Sequence, residues 1–183
     1  MALKTIDELV NICERQGFAF QASAELTLSS SSPVETIFRT GSKPVIIYSR
    51  KISYDGTGLN AKLYRDSVSS GGTMIESFSA NDLVQHDAQS VFYSGATITN
   101  DGEETRAPSF IFGNSSNQGQ GSALQAIDEP QIIPPNSEYR FVLEGRSGSQ
   151  AVASQVEWCE LENISGLSNA SGEWEYVGED LLV

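Results

Sequence analysis

The first periodicity along the chain is helical. Ile6, Leu9, Val10 and Cys13 fall at i, i+3, i+4 and i+7 and make one apolar stripe. Thr5 and Glu8 stand at capping-box spacing ahead of it, the hydroxyl placed to accept an amide of the first turn and Glu8 to reach back. Gly17 supplies the stop, because a left-handed residue after the last turn costs glycine little. The spacing predicts a helix over residues 6–16. A helix of about three turns is marginal by itself, so its stripe must dock on its own domain or on a neighbouring protein.

After Gly17 the period drops to two. Phe18, Phe20, Ala22, Ala24, Leu26 and Leu28 alternate with Gln21, Ser23, Glu25 and Thr27, which predicts a half-buried strand that breaks over 29–33. Residues 34–40 read as a second strand. Residues 45–54 read as a third, with Ile46, Tyr48, Ile52 and Tyr54 on one parity, ending at the turn pair Asp55-Gly56. Residues 59–66 then look like the returning half of a hairpin. Gly71-Gly72 opens a turn before 73–78, and a strand over 91–99 closes at Asn100-Asp101-Gly102. Residues 108–113 make a short aromatic strand. Residues 139–143 and 152–160 read as a last pair around 145–149, with Val152, Val156 and Trp158 sharing a face.

Roughly eight or nine short strands joined by Gly, Asn and Ser turns predict an all-β fold, a two-sheet jelly-roll-like sandwich preceded by a short N-terminal α-helix. No βαβ alternation is present, which excludes a doubly wound or barrel α/β enzyme. The run GNSSNQGQGS over 113–122 predicts a surface loop, and 163–172 a linker. The organisation expected is a helical arm over 1–17, a sandwich over 18–162 and an acidic extension over 163–183. That extension holds Trp174, Tyr176, Leu181, Leu182 and Val183 among acids.

Composition narrows the function. With 183 residues the chain can bury roughly 70% of its unfolded surface and needs neither a metal nor a disulfide to stand. Charged residues are only 19%, against 16 Gly, which suits a loop-rich β protein better than a helical bundle. The net charge of −13, from 11 basic and 24 acidic residues, argues against nucleic acid or an anionic membrane as partner. Acids in the first residues argue against a signal peptide, and no apolar run approaches a membrane span. A soluble protein made in a cytoplasm is therefore expected, with the N-x-S sequons at Asn114, Asn163 and Asn169 chance matches. Charge is unevenly spread. Arg39, Lys43, Arg50, Lys51, Lys62 and Arg65 share a stretch whose only acid is Asp55, whereas no Lys or Arg follows Arg146. Either this is a solvated surface, or opposite charges meet across neighbouring subunits and set their register.

No reactive constellation emerges. Cys13 and Cys159 are too few for a disulfide framework or a four-ligand zinc site, and Cys159 reads as a buried thiol on a strand. His86 with Asp82 and Asp87 falls short of a ligand set. Ser94-Gly95 lacks the preceding glycine of a nucleophile elbow, and Gly119-x-Gly121 lacks the third glycine and following helix of a phosphate cradle. Glu103-Glu104 and Glu173/Glu175 are adjacent in the chain, which does not make them face one another across a scissile bond. Trp158, Trp174 and Tyr176 invite comparison with a sugar-stacking platform, although core and contact packing are the commoner uses of such rings. No cofactor and no enzyme activity are expected.

Several segments together resemble the jelly-roll virion proteins of tailed bacteriophages, which decorate or staple the capsid shell. They are Pro44-Val45-Ile46-Ile47-Tyr48-Ser49-Arg50-Lys51-Ile52, Leu63-Tyr64-Arg65, Gly71-Gly72-Thr73, Ser79-Ala80-Asn81-Asp82, and the run Gly95-Ala96-Thr97-Ile98-Thr99-Asn100-Asp101-Gly102. Ile133-Pro134-Pro135-Asn136-Ser137-Glu138-Tyr139 and Val156-Glu157-Trp158-Cys159-Glu160 complete the pattern. The resemblance covers about residues 43–162, through turns and strand edges rather than a chemical signature. It departs at Cys159, where relatives commonly carry an aromatic, and after Glu162, where this chain runs on. The resemblance implies a decoration or cement protein on the capsid exterior, binding the major capsid protein and copies of itself as a dimer or trimer. On that reading Ile6, Leu9, Trp174, Tyr176 and Leu182 would make contacts, with Arg50, Lys51 and Arg65 as charge partners. The rivals are a carbohydrate- or receptor-binding module, a tail or adaptor protein of the same group, and a glycosidase.

Overall fold

The computed structural model describes residues 6–29, 32–105, 108–112, 125–126, 130–146, 148–161, 167–168 and 175–176. Helix α1 spans Ile6–Gln16, as the apolar stripe requires, with Asp7 and Glu8 at its positive end and Arg15 at its negative end. The expected cap Thr5 lies outside the described residues. At the other end Phe18 N donates to Cys13 O at 2.9 Å and Gly17 N to Glu14 O at 3.2 Å, the paired bonds of a Schellman closure. Gly17 takes φ +78°, and a Cβ there would lie 2.2 Å from the Val84 carbonyl oxygen. Only glycine fits this position.

Strands follow in the order β1 (Ala19–Ser29), β2 (Val34–Arg39), β3 (Val45–Tyr54), β4 (Gly58–Arg65), β5 (Val68–Ser70), β6 (Thr73–Ile75), β7 (Phe78–Ser79) and β8 (Val91–Ser94). They continue through β9 (Thr97–Asn100), β10 (Glu103–Glu104), β11 (Ser109–Phe112), β12 (Gln125–Ala126), β13 (Gln131–Ile133), β14 (Glu138–Gly145) and β15 (Ser149–Glu160). Two short pieces, β16 (Leu167–Ser168) and β17 (Glu175–Tyr176), pair with each other.

Pairing is nested from the ends of the chain inward. β1 pairs with β15, β2 with β14, β3 with β13 and β12, and β4 with β11, all antiparallel. A long antiparallel hairpin rolled on itself in this way drops alternate pairs into opposite sheets, which is the jelly-roll arrangement. One sheet runs β12-β3-β15-β1-β7 with β13 also on β3, and the other runs β10-β4-β14-β2-β8-β6 with β11 also on β4. The segment between β4 and β11 is an insertion at the tip of the roll. It adds β8 and β6 beside β2, and β7 beside β1.

This topology corrects two expectations. Strands β3 and β4 are not a hairpin, and β14 and β15 are not a pair, because each couple is divided between the sheets. The reason is burial. Ile52, Tyr54 and Val152 on one sheet meet Leu59, Ala61 and Leu143 on the other in a single cluster, which side-by-side pairing would leave half exposed. The crossing at Asp55 is fixed by Asp55 N donating to Ala151 O at 3.1 Å, Ala151 N to Asp55 Oδ1 at 2.6 Å, and Gln150 Nε2 to Gly58 O at 3.0 Å. Similarly, the strand expected over 73–78 divides into β6 and β7 on different sheets, and that over 91–99 breaks at Gly95, where φ is +64°.

The predicted parity of 45–54 also fails, for a local reason. Glu157 lies opposite Ser49 but Trp158 lies opposite Ile47, so Tyr48 is an extra residue in β3. Such a bulge reverses which side chains face inward. Before it, Val45 and Ile47 enter the interior and Ile46 and Tyr48 face α1; after it, Arg50, Ile52 and Tyr54 point inward.

The interior has two ends. Trp158 anchors the larger, with Phe38 edge-on at 5.1 Å and Phe20 tilted at 5.8 Å, while Phe92 and Phe141 meet edge-on at 6.3 Å. Pairs of this geometry contribute about 0.5–1.5 kcal/mol each beyond their buried area. The smaller end is aliphatic apart from Tyr54, from Leu28 to Val152. On the outer face of the first sheet, α1 covers a third cluster of Leu9, Cys13, Ala19, Ile46, Cys159 and Leu161. The helix therefore docks on its own domain.

Candidate interaction surface

The basic stretch noted in the sequence is folded into pairs within the chain. Arg39 Nε meets Glu138 Oε2 at 2.7 Å, and Arg39 Nη2 donates to Ser69 O at 2.9 Å and to its hydroxyl at 2.8 Å. That hydrogen bond with Glu138 raises the pKa of Arg39 above its ordinary value. Lys62 Nζ lies 2.7 Å from Glu144 and Arg65 Nη2 lies 2.5 Å from Glu103, while Lys51 pairs with Glu157. Arg140 Nη1 bridges Glu35 at 3.0 Å and Asp101 at 3.1 Å while its guanidinium covers Tyr64 at 4.3 Å. The more exposed of these pairs, such as Arg65 with Glu103, add at most about 1 kcal/mol each, but all of them engage their cations without a neighbouring subunit. Lys51 and Arg65, expected as charge partners for another molecule, are thus engaged by their own strands' neighbours.

Two other expected contact residues lie inside the fold. Leu9 is buried under α1. Arg50 is 5% exposed, stacks on the Phe141 ring at 4.3 Å, and leaves Nε and Nη2 with no hydrogen-bond partner. Burial lowers its pKa to about 9. The bulge at Tyr48 turned this side chain inward, so it offers nothing to a partner's surface. Ile6 is half-buried against the cluster beneath the helix. Tyr176 is on β17 opposite Leu167, and Trp174 and Leu182 lie outside the described residues, as does 113–122.

The fold also places the residues weighed and set aside for chemistry. His86 is exposed and stacks on Phe18 at 4.2 Å with planes 5° apart, and Lys43 Nζ sits 4.8 Å from the same ring. Among the described residues no cluster of three His, Cys, Asp or Glu could hold a metal. Trp158 is fully buried and cannot stack on a sugar. A groove of about 710 Å³ on the outer face of the first sheet is lined by Ser23, Glu25, Ser53, Asp55, Ala151 and Ala153. Its carboxylates are Glu25 and Asp55, and Asp55 Oδ1 accepts a hydrogen bond from the Ala151 amide.

What the surface does display is apolar, and most of it sits on the insertion. Leu83 is 95% exposed, Met74 64% and Phe78 55%, with Val84 and Val68 also open. Leu83 and Val84 stand on a turn fixed by polar bonds. Asn81 Oδ1 accepts from Leu83 N at 2.9 Å and Val84 N at 3.2 Å, and Asn81 Nδ2 donates to Glu14 O at 2.9 Å and Arg15 O at 3.0 Å. One side chain thus makes the turn and ties it to the end of α1. At the other end of this loop the buried Glu160 carboxylate accepts from Ser90 N at 2.7 Å, Gln89 N at 2.9 Å and Trp158 Nε1 at 3.4 Å. Beside Phe78, an open notch of about 260 Å³ is lined by Gln21, Ala22, Ser23, Ile75, Glu76 and Gln155. The sequence signal for the turn is Asn81-Asp82 followed by Leu83-Val84, an Asx-turn residue leading two apolar ones, which reading for strand periodicity passes over.

The fold defines an all-β sandwich of jelly-roll topology. No protein-family model matches the chain, and no curated protein matches it. Among solved structures it is similar to the VP2 subviral particle of infectious bursal disease virus at 12% identity and a TM-score of 0.19, covering 86% of this chain and 44% of that one. A structure of the Gt strain of infectious bursal disease virus gives 11% identity and a TM-score of 0.18, covering 88% and 44%. The chain spans less than half the length of either. Scores this low carry no functional argument.

Proposed function

We propose that this protein is a virion structural component, a decoration or cement protein that binds an assembled capsid shell and stabilises it. The observation that carries the reading is the insertion between β4 and β11, which leaves Met74 on β6, Phe78 on β7, and Leu83 and Val84 on the Asn81-bonded turn open to solvent. Exposed apolar side chains on a rigid scaffold are the means by which surfaces recognise other proteins. A protein that binds the lattice but not its free subunits adds stability to the lattice by mass action. Each copy needs only a modest contact, since the shell repeats it. The partner on this reading is the major capsid protein, with self-association into a dimer or trimer, and the site is the capsid exterior. The segment resemblance to tailed-phage decoration proteins supports the same assignment.

Gradient-purified particles from cells that produce the protein test it. The expected result is co-sedimentation at a copy number matching the shell lattice, with Leu83→Asp lowering occupancy at least tenfold while the melting curve stays unchanged. Absence from purified particles, or equal occupancy by the variant, would overturn the proposal in its first or second part respectively.

A further inference from the structure

The two cysteines, far apart in sequence, meet beneath α1. Cys13 is on the helix and Cys159 on β15, and both are buried in the cluster formed by Leu9, Ala19, Ile46 and Leu161. Backbone geometry brings them together through Phe18. Cys13 O accepts from Phe18 N at 2.9 Å, Phe18 O accepts from Glu160 N at 3.0 Å, and Ala19 stands directly opposite Cys159 in the β1–β15 ladder. The residue that closes the helix is therefore bonded to the residue after Cys159. Both cysteines are free thiols in this structure, and the chain has no third cysteine to compete.

We propose that Cys13 and Cys159 are a disulfide-forming pair, an oxidative latch that ties α1 to the sandwich. The bond would close a loop that encloses most of the chain, and loop length is what gives a cross-link its hold on the unfolded state. A hydrogen bond with Cys13, with burial adding to it, raises the pKa of Cys159, so this thiol keeps its proton while the helix is seated. The helix is the lid over both sulfurs, and the oxidant enters when α1 lifts. The oxidant is a small disulfide such as oxidised glutathione. Cys13 Sγ, as thiolate, attacks one sulfur of the reagent and expels the first glutathione thiolate. Cys159 then loses its proton, its Sγ attacks Cys13 Sγ, and the second glutathione thiolate leaves. Two electrons pass from the protein thiols to the reagent's S–S bond, and the two protons end on the two released glutathiones.

The test uses the full chain, folded, exposed in ordinary water to oxidised glutathione for longer than the α1 amides take to exchange in a parallel deuterated sample, so that the helix of every molecule has opened. Remaining thiols are then blocked with iodoacetamide and intact mass is measured. The expected species is a monomer lighter by two hydrogens, carrying neither glutathione nor iodoacetamide adducts. It should migrate faster on a non-reducing gel, melt at a higher temperature than the reduced protein, and revert with a dithiol reductant. Cys13→Ala and Cys159→Ala should each stop at a single adduct. Two alkylated thiols, two glutathione adducts, or cross-linked dimers from the wild-type chain would each refute the latch. Should one alanine variant fail to fold, the wild-type mass and peptide map alone still decide the matter.

Discussion

Glu160 closes the join between the two sheets, and removing it should cost more than any other single polar change. It is the last residue of β15, 2% exposed, and its carboxylate gathers Ser90 N, Gln89 N and Trp158 Nε1. Ser90 leads into β8 on the opposite sheet, so the carboxylate couples one sheet to the other. In Glu160→Ala the Ser90 amide, which is buried, loses a charge-assisted bond worth about 1.5–3 kcal/mol. The fully buried Trp158 indole loses a longer and weaker bond worth about 0.5–1 kcal/mol, and Gln89, which is exposed, regains water and loses about 0.5 kcal/mol. The sum is about 2.5–4.5 kcal/mol, a large share of the roughly 5–15 kcal/mol that holds a domain together. At about 2–4 °C per kcal/mol for a domain of this size, the melting temperature should fall by about 10 °C. Glu160→Gln keeps one acceptor for Ser90 and should lose about half as much. Opposing this is the relief of removing a buried carboxylate that has no cation partner among the described residues. Urea titration gives the total, and amide exchange at Ser90 isolates the local part. If Glu160→Ala lies within about 0.5 kcal/mol of the wild type, and Ser90 exchanges no faster, then desolvation outweighs the three bonds and the reasoning is wrong.

Arg50→Met replaces a buried, partly unsatisfied cation by an apolar chain of similar length. The contact with Phe141 is worth about 2 kcal/mol, less than the several kcal/mol of the burial penalty, so the variant should be as stable as the wild type or more so; a loss above about 2 kcal/mol in urea melts would contradict this. Alkaline solution should destabilise the fold. Tyr48, Tyr54 and Tyr139 are raised from 10.0 chiefly by burial, and Cys159 is raised from 9.0, so their stabilisation is complete below those values and is lost as pH climbs toward the folded ones. Arg50, lowered to about 9 from 12.5, works the other way above pH 9, but one group opposes four. The tyrosines act only above their unfolded value of 10.0, so urea midpoints should fall above pH 10, and Tyr48→Phe should flatten the decline; a rising midpoint would refute it. Gly17→Ala forces a Cβ against the Val84 carbonyl at φ +78°, at a cost above about 1 kcal/mol. Exchange of the α1 amides should quicken, and unchanged protection would show that the closure bears no such constraint.

Element identity was legible in the chain because it is a local property. The stripe at Ile6, Leu9, Val10 and Cys13 repeats every 3.6 residues and the run from Phe18 to Leu28 every two, and those periods alone separate a helix from a half-buried strand. Their ends were legible for the same reason, since Gly17 and the break after Ser29 act on their own backbone. Pairing was not, because β1 meets β15 through contacts between opposite ends of the chain, and no local pattern states which distant strand will lie alongside. The hairpin readings at Asp55-Gly56 and at 145–149 failed there: a turn sequence describes a reversal, while burial of both apolar faces decides whether the chain reverses within a sheet or crosses to the other. A single extra residue, Tyr48, then moved Arg50 from a presumed surface to the interior, and folding turned Arg39, Lys51, Lys62 and Arg65 into members of intrachain ion pairs. The same distinction holds for the candidate surface. Nothing in the strand periodicity marks Leu83 and Val84, and the bonds of Asn81 to their amides and to the end of α1, made across the fold, accompany their exposure to solvent.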